Sequence, residues 1–106
     1  MCKYLEETKK EYVLSKQLKR SGTAPGALVR ESEHAESKKD FIHKLSVALK
    51  EANETDYWLH LIKEGEYVSN EAFISIWKDC DEILHSQFSI NFHRPVTNFI
   101  RYSSLI

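Results

Sequence analysis

The stretch Ser37–Gly65, SKKDFIHKLSVALKEANETDYWLHLIKEG, decides how this chain folds. Phe41, Leu45, Ala48, Ala52, Thr55, Leu59 and Ile62 follow one another at alternating steps of four and three. That spacing keeps them on one side of a helix. Ser37, with Asp40 three residues later, is a capping-box-like start. Gly65 is placed to end the helix in a left-handed cap. A helix of this length would be about 40 Å long, and alone in water it would be marginal, so it needs partner helices. A second set of apolar residues, Val47, Trp58 and Leu61 with Tyr57 beside them, points well round from the first. Two apolar faces require two sets of partners. Either the helix is covered on both sides within the chain, or Val47, Tyr57, Trp58 and Leu61 form an oligomer interface. With only about three other helices to cover it, the interface reading is favoured.

The flanking sequence supplies those partners. Cys2–Glu7 reads as the last turns of a helix, with Tyr4 and Leu5 its large apolar residues, and Thr8-Lys9-Lys10 as a polar connection. A helical pattern resumes at Glu11, with a seam of Leu14, Leu18, Ser21, Pro25 and Leu28. Local rules break or kink this helix near Gly22–Pro25. After Gly65, Ser69 is a good N-cap and Glu71 suits the helix dipole. Phe73, Ile76, Trp77, Cys80, Ile83, Leu84, Gln87 and Ile90 form another single stripe, which predicts a helix to about Asn91. Arg94-Pro95 stops it. The organisation expected is one helical domain over residues 1–92 and an irregular tail over 93–106.

Composition agrees with that reading. A chain of 106 residues with 29% charged residues, three Gly and two Pro favours helices over a sandwich or barrel. No apolar run reaches the length of a membrane span, and the N-terminal residues do not read as a signal peptide. A cytoplasmic protein without membrane partners is therefore expected. Cys2 and Cys80 lack metal spacing and are expected to be reduced, Cys80 in a core.

The net charge of −1 is unevenly spread. Residues 1–30 carry seven Lys/Arg against three acids, residues 31–66 carry five Lys against nine acids, and the remainder is nearly balanced. Such a basic first third can bind phosphate backbones, and Lys16, Lys19, Arg20 and Arg30 are the residues that would do so. More often such a segment is a solvated face, or pairs with acids of a neighbouring helix. The whole chain also lacks the basic excess of nucleic-acid domains.

Two Glu-x-x-His pairs, Glu31/His34 and Glu82/His85, have the spacing of carboxylate-bridged metal sites in four-helix proteins. Glu82 and His85 fall beside their helix's apolar stripe rather than on it, and matching inward carboxylates are not evident. No metal and no cofactor are expected. No phosphate-binding Gly-rich loop and no nucleophile motif is present, so no enzymatic activity is expected.

Several blocks occur in an order that resembles one family. They are Tyr12-Val13-Leu14-Ser15-Lys16-Gln17-Leu18, Arg20-Ser21-Gly22-Thr23, Ser37 to Leu45, Ala48 to Ala52, and Glu54-Thr55-x-Tyr57-Trp58-Leu59. From about residue 2 to about residue 90 the chain is similar to the bacterial 23S rRNA-intervening-sequence proteins, many of them encoded inside insertions in the large-subunit rRNA gene. The resemblance implies an all-α, up-down four-helix bundle, here with the first helix largely truncated. It also implies assembly as a homopentamer and a biochemical role that is undefined. Related accessory proteins of diversity-generating retroelements bind nucleic acid and a reverse transcriptase, which makes RNA or another nucleic acid the alternative partner. The resemblance keeps the second helix continuous through Gly22, with a kink at Pro25. Pro25 and Leu28 depart from the family's usual aliphatic residue and Asn, and the tail from His93 does not resemble its fourth helix.

Overall fold

From Ala48 to Ile62 the seam of the central stretch is buried in the folded chain, and its first members, Phe41 and Leu45, are half-buried. The computed structural model describes residues 1–85 and 106. Four α-helices run in chain order: α1 (Cys2–Glu7), α2 (Val13–Ser32), α3 (Lys38–Glu64) and α4 (Asn70–His85). Among the described residues there is no strand. The fold is all-α, and the first helix has six residues beside helices of 20, 27 and 16 residues. The continuation of α4 toward Asn91 and the tail over 93–105 lie outside the described residues.

Helix α3 is the centre, packed against α2 along one side and α4 along another, while α1 packs on α2. The pairings run antiparallel. Ser21 faces Thr55 and Glu31 faces Lys44 across α2 and α3. Trp77 faces Asp56 and Cys80 faces Ala52 across α3 and α4. Leu5, Leu18, Leu59, Ile62, Phe73, Ile76 and Cys80 make up much of the core.

Local chemistry sets the helix ends. Ser37 has extended backbone and its Oγ accepts from the Asp40 N–H at 3.1 Å. Asp40 reaches back to the Glu36 N–H at 3.4 Å. Ser69 caps α4 in the same way, accepting from Ala72. At the start of α2 the cap is Glu11, whose carboxylate accepts from the N–H groups of Val13 and Leu14. The left-handed turn expected at Gly65 falls one residue later. Gly65 is right-handed, with φ −76°, and Glu66 takes φ 59°. Gly65 is instead needed for space, since a Cβ there would lie 2.7 Å from the Tyr67 ring.

Helix α2 corrects the local reading of its sequence. It is unbroken from Val13 to Ser32 with Pro25 inside it. An internal proline removes one backbone hydrogen bond and crowds the carbonyl four residues earlier, at a cost of about 3 kcal/mol. Here the ring is fully buried, and the long contact with α3 holds the helix together. The buried positions are Ser15, Leu18, Ser21, Gly22, Pro25, Val29 and Ser32, so the face is rotated from the predicted seam, and Leu14 and Leu28 lie at its half-buried margin. Its hydroxyls are satisfied. Ser21 donates to the Gln17 carbonyl at 2.9 Å, and Ser32 to the Val29 carbonyl at 2.6 Å. Gly22 makes room for Ile106, whose side chain would meet any Cβ placed there and whose carbonyl accepts from the Cys2 N–H.

Candidate nucleic-acid interface and oligomer face

The outward side of α2 carries the four predicted basic residues. Lys16, Lys19 and Arg20 come together on the wall of an open recess of about 450 Å³, lined also by Glu6, Tyr12 and Thr23. Arg30 is exposed but lies ten residues beyond Arg20, about 15 Å along the helix, and takes no part in it.

Carboxylates from other helices already hold two of the three clustered cations. Lys19 Nζ is 3.4 Å from Glu6 on α1. Arg20 bridges to Glu51 at 3.3 Å and makes a second, short contact with Glu54, both on α3. Arg20 also donates from Nε to Gln17. Among the described residues Lys16 and Arg30 have no ion pair. The Ser15 hydroxyl, donating at 2.8 Å, and the nearby Lys19 ammonium hold the Glu6 carboxyl below its usual range. Glu6 is therefore charged at neutral pH and keeps Lys19 partly neutralised. These bridges are solvent-exposed and individually weak, so an incoming phosphate can compete for the cation.

Sequence reading found the cations and missed their surroundings. Tyr12 precedes Lys16 by four residues and Arg20 by eight, so it shares their helix face. It is 59% exposed. That periodicity was available in the sequence, whereas the carboxylate partners on α1 and α3 depend on the tertiary fold.

The second predicted site divides. Tyr57 and Leu61 on α3 are 58% and 39% exposed. Trp58, between them in sequence, is half-buried, meets the Tyr57 ring edge-to-face at 5.0 Å and donates from Nε1 to Glu54. Val47 is half-buried and sits about 16 Å from Trp58 along the helix, so it is separate from this cluster. The α3–α4 junction holds a further set of rings, Phe73 and Trp77 from the predicted stripe of α4. Trp77 Nε1 donates to Asp56 at 2.8 Å, Phe73 stacks on Trp77, and Lys63 lies 4.7 Å over the Phe73 ring. This set closes α4 onto α3.

Among the described residues no three His, Cys, Asp or Glu side chains lie together as a metal site. Glu31 faces Lys44 at 3.1 Å instead. Cys2 and Cys80 are free and buried, and burial pushes the Cys2 thiol above its usual range. No described helix is long and apolar enough to cross a membrane.

The sequence model of the 23S rRNA-intervening sequence proteins matches residues 1–87. The chain belongs to that family. A solved structure agrees with this membership. It is a protein of unknown function from the S23 ribosomal protein family of Bacteroides thetaiotaomicron, 52% identical, with a TM-score of 0.81 over 84% of this chain and 82% of that one. No curated protein matches the chain. The intervening-sequence family has an undefined biochemical role, and neither its description nor that of the solved relative names an activity.

Proposed function

We propose that this intervening-sequence protein is a non-enzymatic module whose copies associate through the outer face of α3, as a pentamer if it follows the family it resembles. The observation that carries this reading is the exposed pair Tyr57 and Leu61, joined by the half-buried Trp58. The inner side of α3 is covered by α2 and α4 of the same chain, and this cluster lies on its outer side. Exposed apolar clusters mark interaction surfaces, and Tyr and Trp are enriched where proteins meet. A closed ring pairs this face with a different surface of the next copy. Multi-angle light scattering of the full chain at tens of micromolar is expected to give a mass several times that of the 12.4 kDa protomer. A single monomer peak would refute the reading.

A second reading, binding of RNA or another nucleic acid, is favoured by the recess that gathers Lys16, Lys19 and Arg20. Phosphate contacts of this kind tolerate any sequence and release counterions. With three phosphates engaged on a single strand, log affinity should fall against log salt with a slope of about −2. Affinity that is flat from low to physiological salt would refute it.

A further inference from the structure

Resting on the nucleic-acid reading, we infer that the exposed face of α2 takes single-stranded rather than duplex nucleic acid, with one base stacked on Tyr12. Tyr12, Lys16, Lys19, Arg20 and Thr23 lie on one side of α2, at steps of four, three, one and three residues. All five line the same open recess of about 450 Å³. Tyr12 is more than half exposed and forms one end of this track, with Lys16 about one turn and Lys19 and Arg20 about two turns beyond it.

This arrangement combines a flat aromatic platform with a short cationic track, the pairing that binds single strands without sequence preference. A duplex keeps its base faces inside the stack, so Tyr12 has nothing to stack on. A duplex would meet the cations alone, and two of those are already bridged by Glu6, Glu51 and Glu54. Charge by itself is therefore a weak attraction here, and the base on Tyr12 carries much of the difference between the two ligands. Glu11 already occupies the N–H groups at the start of α2, so the helix N-terminus does not serve as the phosphate site.

The test is fluorescence anisotropy with a labelled short oligouridine and, separately, an RNA duplex of the same length, at low salt. Tyr12 is exposed and its side chain caps nothing, so Tyr12→Ala and Tyr12→Phe leave the fold intact. Tyr12→Ala is expected to weaken oligouridine binding about 10-fold, Tyr12→Phe to restore it, and duplex binding to be weaker and unchanged by either. If Lys16→Ala weakens oligouridine binding while Tyr12→Ala does not, or if the duplex binds as tightly as the single strand, the stacking inference fails and the nucleic-acid reading stands. If neither ligand binds, both fail.

Discussion

Replacing Leu59 by Ala is expected to lower the unfolding free energy by about 3–4 kcal/mol, inside the range measured for Leu→Ala in well-packed cores. Leu59 is 0% exposed and sits on the central helix, which packs against both α2 and α4. Helices on two sides brace the resulting cavity, so it cannot easily collapse, and the cost should exceed the transfer energy of the deleted methyl and methylene groups. For a domain of this size the change corresponds to a fall in Tm of about 15–25 °C, read by circular dichroism at fixed protein concentration. Leu61 lies two residues on and is 39% exposed. In the isolated protomer Leu61→Ala should cost well under half as much. Equal shifts for the two variants would mean that the inner and outer faces of α3 are misassigned.

Substituting Leu61 by Asp is the companion experiment, with the opposite pattern of effects. The protomer exposes this position to water, so an aspartate there is tolerated and helicity should not change. In an interface between copies the same carboxylate would be stripped of water without a partner, at a cost of several kcal/mol. In a ring the penalty recurs at every contact. Association should weaken by on the order of 100-fold or more per interface, and sedimentation velocity should show the native assembly replaced by protomers. An unchanged sedimentation coefficient with unchanged helicity would remove α3 from the interface.

Much of this fold could be read from the chain because α3 obeys the simplest rule available. From Ala48 to Ile62 its seam keeps to steps of four and three, and those residues are buried as that spacing requires. Helix α2 was harder because its buried face is built from small polar residues. Ser15, Gly22 and Ser32 carry no apolar signal, and their burial depends on what meets them: Cys2 and Glu6 at Ser15, Ile106 at Gly22. Reading by hydrophobicity therefore drew the seam through Leu14 and Leu28, at the margin of the true face. Pro25 illustrates tertiary contacts overruling a local preference, since packing against α3 offsets what the proline costs the helix. At the end of α3, glycine was the natural candidate for a positive φ. The close approach of Tyr67 requires the glycine instead, and Glu66 takes the left-handed conformation.

The candidate sites were legible to the extent that one helix contains them. Lys16, Lys19 and Arg20 share a face of α2, and Tyr57, Trp58 and Leu61 share a stretch of α3. The sequence could not show that Glu6, Glu51 and Glu54 reach the cations from other helices. Nor could it show that Trp58 turns partly into the fold while Tyr57 and Leu61 stay outside. Val47 was grouped with them by direction around the helix axis, but the distance along the axis separates it.

We propose that a second copy of the chain covers the outer face of α3. Hydroxyl-radical footprinting tests it directly, because the protomer contains its own control. Tyr57 and Tyr12 are 58% and 59% exposed in the single chain, so in a monomer they should oxidise at similar rates. At tens of micromolar without nucleic acid, Tyr57 is predicted to be protected several-fold relative to Tyr12, and the protection should vanish on dilution or in Leu61→Asp. Equal oxidation of Tyr57 and Tyr12 at the highest concentration would contradict the account.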